Sequence, residues 1–489
     1  MRKSGILLHP TSLPGEWGIG DLGRSAYRFI DFLAESGQHL WQILPLGPPG
    51  CGNSPYQALA SMAGNPLLIN LQALVEQNLL APEDLQAMPC FPESTVDFGA
   101  VIPSKQKLIR KAAAEFFRQN RHPLREDFAG FCSTMKSWLM PYAEFASLKE
   151  ANQGAAWTEW TRKTGPKPEE VQEHQFIQFE FFRQWKLLRK YCSERGIEII
   201  GDLPIFVAHD SADVWANPEL FDLDETGNPK TIAGVPPDYF SETGQCWGNP
   251  LYRWDVMDQT GYRWWIDRVK FMLDTVDFIR IDHFRGFEKY FEIPGGAKTA
   301  IDGRWVKGPG DRFFKVLLQA LGKVPFIAED LGYITPEVHA LRDRWGFPGM
   351  RVLQFAFGDQ SLQNPHKPHN FIRNCIVYTG THDNDTTAGW FWQRTGDMAR
   401  SEIEMALRYM GQSGADAVWS LIRLALSSVA DIVILPMQDV LGLGTDARMN
   451  IPSTVENNWR WRMKENQPSP ELAVKLREMN YMYGRRKES

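Results

Sequence analysis

Four acidic residues stand near the ends of apolar runs that are typical of β-strands: Asp202, Asp282, Glu329 and Asp383. Cleavage of a glycosidic bond needs a protonated carboxyl group beside an ionised carboxylate, with environments that hold their pKa values apart. Arg280 lies two residues before Asp282 and shares its face of the strand, so its charge favours an ionised Asp282. Glu329 follows the apolar sequence Phe-Ile-Ala and is the better candidate for the acid.

Two other interpretations of these polar residues stay open on this pattern alone. Arg280 and Asp282 could form a structural ion pair inside a barrel, because buried charges are costly unless they are paired. Residues 381–385 and 208–213 each combine His with carboxylates and could bind a metal. A barrel metallohydrolase typically carries His-x-His on its first strand, whereas that strand has His9 alone, which could equally be a core histidine. We therefore expect no metal site.

Strands and helices must hold these candidate catalytic residues in place. Apolar runs bounded by turn residues predict eight strands, at 5–9, 39–46, 197–206, the start of 275–286, 324–331, 350–357, 375–383 and 431–438. Helical patterns separate most of them, which predicts an α/β fold of the (β/α)8 TIM barrel type. A doubly wound open sheet is the rival fold, but no Gly-rich phosphate fingerprint follows an early strand. In a barrel, the C-terminal strand ends converge on one mouth, where catalysis occurs.

The long segments between the strands predict the domain organisation. We expect residues 1–489 to form a single catalytic barrel domain. A helical insertion is expected at about 50–165, a loop-rich insertion at about 207–260 and a smaller insertion at about 286–312, within which 303–309 is predicted to be a loop.

Composition narrows the function classes. The chain has 53 basic and 59 acidic residues, a net charge of −6 and no long basic run, which argues against nucleic acid and anionic membrane as partners. The six cysteines are scattered without a CxxC pair, as expected in a reducing compartment. The N-terminal apolar run is too short for a signal peptide, and no stretch approaches the length of a membrane span. These features predict a cytoplasmic protein.

Several motifs resemble those of the amylomaltase family, also called the 4-α-glucanotransferase or disproportionating enzyme family. They are SPYQ at 54–57, GDLPIFV at 201–207, GQCWGNP at 244–250, RIDHFRG at 280–286, AEDLG at 328–332, TGTHDNDT at 379–386, LPMQDVLGLG at 435–444 and RMN at 448–450. The resemblance covers essentially the whole chain. It implies an α-amylase-like barrel with helical and loop insertions at the catalytic face, a retaining mechanism and no obligatory cofactor.

The resemblance also implies roles for single residues. Asp282 would be the nucleophile, Glu329 the acid/base and Asp383 a third carboxylate that holds sugar hydroxyls and favours a distorted ring. The substrate-binding residues would be Tyr56, Asp202, Gln245, Trp247, Arg280, His382 and Asn450. Tyr56 could instead be ordinary packing, and 245–250 could be only a tight turn.

The leading hypothesis is an enzyme that transfers α-1,4-glucan segments through a covalent glycosyl-enzyme on Asp282. Its donors would be maltooligosaccharides, amylose or glycogen-derived glucans, its acceptors glucose or glucans, and no protein partner is indicated. An α-1,4-glucan hydrolase with the same carboxylates is the alternative. A catalytically inactive glycan-binding barrel is disfavoured, because such a scaffold has no need for three intact carboxylates.

Overall fold

The β-strands position the polar residues that were predicted to lie at the barrel mouth. The structure is a computed structural model that describes residues 2–161, 165–237, 242–359, 361–412, 414 and 416–486. Its strands are β1 (Lys3–Leu7), β2 (Leu40–Gln42), β3 (Glu198–Pro204), β4 (Thr231–Val235), β5 (Gln245–Pro250), β6 (Phe278–Asp282), β7 (Lys289–Pro294), β8 (Arg304–Lys307), β9 (Phe326–Ala328), β10 (Gly349–Val352), β11 (Cys375–Tyr378) and β12 (Ile432–Pro436).

The α-helices lie between and beyond these strands. They are α1 (Arg24–Glu35), α2 (Leu71–Glu76), α3 (Pro82–Gln86), α4 (Phe98–Arg118), α5 (Arg125–Thr134), α6 (Lys136–Ala151), α7 (Pro168–Glu194), α8 (Ala212–Ala216), α9 (Trp254–Gln259), α10 (Arg263–Thr275), α11 (Gly310–Leu321), α12 (Pro336–Arg344), α13 (Thr387–Trp392), α14 (Asp397–Met410), α15 (Ala417–Ser427), α16 (Met437–Val440) and α17 (Pro470–Met482).

Eight of the strands close into a parallel barrel in the order β1-β12-β11-β10-β9-β6-β3-β2. Each of the eight predicted runs supplies one barrel strand, so the predicted (β/α)8 TIM barrel is confirmed. The strands are rich in Ile, Val and Leu because a parallel sheet is buried on both faces. Gly5 of β1 fits the tight spacing to β2, since a Cβ atom at this position would lie 2.4 Å from the Leu40 carbonyl oxygen.

A second, four-stranded antiparallel sheet stands outside the barrel in the order β5-β4-β7-β8. Its strands come from 207–260 and from 286–312, so two separate segments form one structural unit. The prediction of a loop over 303–309 is wrong, because β8 pairs with β7 there. Arg304–Lys307 is too short for its alternation to be recognised, and only pairing with a distant strand reveals it.

The segment at 50–165 carries α2 to α6 in its described part, and α7 leads the chain back to β3. Two glutamines of α7 hydrogen-bond to the backbone of the irregular segment before α2. Gln178 accepts from the N–H of Gly64 and donates to its carbonyl, at 2.7 and 2.9 Å, and Gln184 does the same to Asn70 at 2.8 and 3.2 Å. Buried backbone groups of the irregular segment are thereby satisfied. In the described part of the chain, no helix is long and apolar enough to cross a membrane.

Candidate active site

Arg280 joins the candidate nucleophile to a second carboxylate at the barrel mouth. Its Nη1 donates to Asp202 Oδ2 at 2.6 Å, and its Nη2 donates to Asp282 Oδ1 at 3.0 Å. Parallel pairing of β3 and β6 sets Asp202 beside Arg280 in register. The predicted proximity of Arg280 to Asp282 is therefore confirmed, and the structure adds Asp202 as the second partner of the guanidinium.

Burial and neighbouring charges both shift the pKa values of Arg280 and Asp202. Burial alone would lower the pKa of Arg280, but Asp202 and Asp282 outweigh it and raise that pKa well above its ordinary value. Burial raises the pKa of Asp202, and Asp282 adds to this, while Arg280 and the Tyr56 hydroxyl oppose it. The guanidinium therefore stays charged and gives Asp282 a permanent cationic partner.

Glu329 follows β9 directly and lies next to the Asp282 segment. The backbone N–H of His283 donates to Glu329 Oε2 at 2.7 Å, and the N–H of Leu331 donates to Oε1 at 2.9 Å. Burial raises the pKa of Glu329 to about 8; Asp282 adds to the shift, and Arg280 and the two N–H groups oppose it. Glu329 thus holds a proton at neutral pH, as a general acid must, while the Asp282 carboxyl group on the neighbouring segment accepts a hydrogen bond from Arg280.

The residue after Glu329 points away from the mouth. Asp330 is buried, pairs with Arg342 and accepts from the N–H of Met350 at 2.7 Å. Adjacent side chains of an extended segment point to opposite sides, so Asp330 anchors β9 to β10 while Glu329 faces the mouth.

His382 belongs to an aromatic cluster at the mouth. The Tyr56 ring stacks on the His382 ring with centroids 5.1 Å apart and planes 17° apart. The Tyr56 hydroxyl donates to Asp202 Oδ2 at 2.8 Å, which ties the 54–57 loop to the carboxylates. Trp459, for which the sequence predicted no role, lies 5.9 Å from both rings and is buried. Its only signal in the sequence is the pair of tryptophans at 459 and 461.

Asp383 is held by residues from the far end of the chain. Asn450 Nδ2 donates to Asp383 Oδ1 at 2.6 Å, and the Asn450 N–H donates to the His382 carbonyl at 3.1 Å. His382 Nε2 lies 3.3 Å from the same Oδ1 atom. Arg448, also not predicted, donates to the Asp383 carbonyl at 2.7 Å and to the Asn450 carbonyl at 2.8 Å. The segment after β12 therefore fixes the position of the third carboxylate.

Asp439, a buried residue for which no role was predicted, supports the loop that carries His382 and Asp383. Asp439 accepts from the hydroxyls of Thr379 and Thr387 at 2.6 and 2.7 Å, and from the Thr387 N–H at 2.6 Å. It therefore clamps both ends of the loop. The sequence signal was its position just after the last strand, in the 435–444 motif.

Trp247 stands on β5 at the edge of the mouth. Its ring makes a perpendicular contact with the His283 ring at 4.8 Å, and its Nε1 donates to Gln245 Oε1 at 3.2 Å. The Gln57 amide donates to the Trp247 carbonyl at 3.3 Å. The structure thus brings Gln245 and Trp247 next to the nucleophile segment and ties them to the loop that carries Tyr56.

The two segments considered as metal sites, 381–385 and 208–213, do not form a cluster of ligands in the structure. Among the described residues, no group of three or more His, Cys, Asp or Glu side chains is arranged to hold a metal ion. In the 208–213 set, His209 Nε2 lies 2.8 Å from the Gly227 carbonyl, and Asp213 accepts from Ser61. His9 is buried below the mouth, and burial lowers its pKa to about 3.

The chain is similar to known proteins over nearly its whole length. A sequence model described as 4-alpha-glucanotransferase matches residues 8–467. The chain belongs to this family. It is 50% identical to the 4-alpha-glucanotransferase of Synechocystis sp. over 99% of this chain and 98% of that protein. It is 49% identical to the 4-alpha-glucanotransferase of Thermus thermophilus over 98% of each chain.

A solved structure of the family has the same fold throughout. The amylomaltase from Streptococcus agalactiae, solved in complex with acarbose, superposes with a TM-score of 0.94 at 37% identity and covers 100% of both chains. The resemblance to the 4-α-glucanotransferase family is confirmed, and with it the assignment to retaining, glycoside-hydrolase-like transferases rather than hydrolases.

Proposed function

We propose that this 4-α-glucanotransferase moves α-1,4-glucan segments by double displacement, with Asp282 as nucleophile and Glu329 as acid/base. One observation carries the assignment: Glu329, whose pKa is raised to about 8, is hydrogen-bonded to the residue that follows Asp282, while Arg280 contacts the Asp282 carboxylate. Acid and nucleophile are thus on neighbouring segments, with the protonated form favoured at Glu329 and a guanidinium at Asp282.

In the first step, Glu329 gives its proton to the glycosidic oxygen while Asp282 attacks the anomeric carbon from the opposite side. The bond to the leaving glucan breaks, and an ester between sugar and Asp282 forms. In the second step, ionised Glu329 takes a proton from an acceptor hydroxyl, whose oxygen attacks the anomeric carbon and releases Asp282. Two inversions at one carbon retain the configuration.

The remaining predicted residues would hold the sugar that carries this carbon. Asp383 and His382 present a carboxylate and an imidazole from one loop, and Asp202 presents a carboxylate from β3. Burial lowers the pKa of His382, so the imidazole is neutral at neutral pH and can both donate to and accept from sugar hydroxyls. Tyr56 would support the sugar through its position between Asp202 and the His382 ring.

Transfer must compete with hydrolysis, because water can also release the sugar from Asp282. Gln245 and Trp247 on β5 and Asn450 after β12 would cover the cleft and hold the acceptor hydroxyl in attacking geometry. We propose residues 1–489 as a single catalytic domain whose insertions supply these covering segments. The donors would be maltooligosaccharides or longer α-1,4-glucans, and the acceptors glucose or glucans. A cytoplasmic location is part of the proposal, since the six cysteines are free thiols.

The product pattern from maltotriose tests the proposal. We expect glucose and a ladder of longer maltooligosaccharides on a thin-layer plate, with little net gain in reducing ends. A steady rise in reducing ends without longer chains would identify a hydrolase. Asp282→Asn supplies the matched control, because it keeps the shape of the side chain but forms no glycosyl-enzyme.

A further inference from the structure

Tyr333 lies exposed on the catalytic face, outside the site described above. It stands between β9 and α12, four residues after Glu329, and 69% of its surface is accessible. Loops that follow barrel strands lie on the side of the catalytic mouth. Single exposed aromatic rings are common on protein surfaces, so the contacts of this ring decide whether it belongs to a built site.

The ring is part of a built arrangement. The Tyr333 and Trp305 rings lie 6.3 Å apart with their planes inclined by 27°. Arg285 is buried, and its guanidinium carbon lies 3.7 Å from the Trp305 ring centre and 5.6 Å from that of Tyr333. Arg285 also donates to the Tyr333 carbonyl. Phe291 packs against Trp305 at 5.1 Å. The aromatic pair is therefore fixed by a buried cation and by the sheet behind it.

Tyr333 is connected to a different part of the site from the groups proposed to hold the transferred sugar. The groups proposed to hold the transferred sugar, such as Asp202 and His382, connect to Asp282 through Arg280 and Tyr56. Tyr333 instead extends from the Glu329 segment, and the acid acts on the oxygen that joins the transferred sugar to the leaving group. The loop that carries Tyr333 is thus continuous with the acid, whose proton goes to the leaving group in the first step and comes from the acceptor in the second.

The outer sheet gives the spacing. Trp247 is on β5 and Trp305 on β8, the two edges of the sheet β5-β4-β7-β8. Three strand spacings separate these edges by roughly 14 Å. Trp247 contacts His283 beside the nucleophile, so Trp305 stands at the opposite edge of the sheet from that contact.

We propose that Tyr333 and Trp305, supported by Arg285, form a binding platform for the distal sugar units of the leaving or acceptor glucan. The flat faces of glucose rings carry C–H groups that the electron-rich faces of aromatic rings attract. Such a platform favours long acceptors over glucose, since a single sugar at the bond-forming position does not reach it. The inference rests on the proposed transferase function and adds a determinant of acceptor length.

Acceptor competition tests the platform. With α-maltosyl fluoride as donor, KM is measured for glucose and for maltotetraose as acceptors. In Tyr333→Ala, the ratio of KM for maltotetraose to KM for glucose is expected to rise about tenfold, the scale of losing one aromatic anchor. Tyr333→Phe keeps the ring and should keep the wild-type ratio. Tyr481→Ala, which removes a tyrosine 65% exposed on α17, is the matched control.

The possible results separate this inference from the function it rests on. An unchanged ratio in Tyr333→Ala, in an enzyme that still transfers maltosyl groups, overturns the platform alone. An equal change of both KM values also overturns it, because the effect would then lie at the bond-forming position. A wild-type enzyme that passes maltosyl groups only to water overturns the transferase proposal and the platform with it.

Discussion

The N–H of His283 donates a 2.7 Å hydrogen bond to the carboxyl group of Glu329. His283 adopts a left-handed conformation, with φ 54°, which is costly for a residue other than glycine. The turn that follows Asp282 at this point directs an N–H group at Glu329, and the Glu329 N–H returns to the Ile281 carbonyl at 3.0 Å. Two hydrogen bonds that involve backbone N–H groups thus hold the acid next to the nucleophile segment.

Glu329→Gln is expected to slow transfer more from a donor with a poor leaving group than from one with a good leaving group. Transfer from maltotriose should fall on the order of 10²- to 10⁴-fold, the contribution of a positioned general acid. Transfer from α-maltosyl fluoride should fall much less, since fluoride departs with little protonation. Initial rates on both donors check this, with Asp282→Asn, which should lose both, as comparison. Equal losses of both rates in Glu329→Gln would exclude it as the acid.

The rate of glucan transfer is expected to fall as the pH rises through about 8. Burial raises the pKa of Glu329 to that value, so the protonated acid predominates below it and is lost above it. A kcat profile with maltotriose should show this alkaline limb, whereas α-maltosyl fluoride should show a weaker one. An alkaline limb of equal steepness on both donors would assign it to a group other than Glu329.

The raised pKa of Glu329 also makes the stability of the folded protein decrease as the pH rises. The folded state keeps the Glu329 proton between the ordinary pKa of 4.5 and about 8, whereas the unfolded state loses it. The contribution of Glu329 to the free energy of unfolding is therefore present below pH 4.5 and declines up to about pH 8. Urea unfolding of wild type and Glu329→Gln at pH 5 and 9 should show the wild type losing more stability between the two values. A difference of the opposite sign would contradict the raised pKa.

Trp247→Ala is expected to increase hydrolysis relative to transfer by about tenfold, because the acceptor is then less well oriented and water enters more easily. The measurement is the ratio of reducing ends gained to glucose released from maltotriose. Trp392→Ala, an exposed tryptophan on α13, is the control. A ratio that stays at the wild-type value would show that Trp247 does not protect the glycosyl-enzyme.

Asn450→Ala is expected to lower kcat/KM by about ten- to a hundredfold. The Asp383 carboxylate would lose a 2.6 Å hydrogen bond, and bonds to charged groups contribute about 1.5–3 kcal/mol. The control is Glu456→Ala, on an exposed position of the same segment. Wild-type kinetics in Asn450→Ala would mean that Asp383 holds its position without this segment.

The barrel and the pairing of Arg280 with Asp282 could be predicted from the sequence because both depend on local periodicity. Alternation along a strand places residues two apart on one face, and parallel strands bring their C-terminal ends to one mouth. The same rule indicated which acidic residues face that mouth. The charge of Arg280 and the apolar residues before Glu329 favoured the nucleophile and acid candidates, and the family resemblance supplied the other roles; all of them stay predictions until they are tested.

Only the tertiary structure decided which distant segments complete the site. Trp459, Arg448 and Asp439 reach the His382–Asp383 loop from the C-terminal part of the chain, and Trp305 meets Tyr333 only because β8 pairs with β7. The contacts named here join residues much farther apart than one helical turn or one strand repeat, so no periodicity marks them. The sequence by itself therefore determined the strands and the residues at their ends. Packing between segments far apart in the chain decided how those residues are held, because hydrogen bonds and ring contacts depend on distance in space and not along the chain.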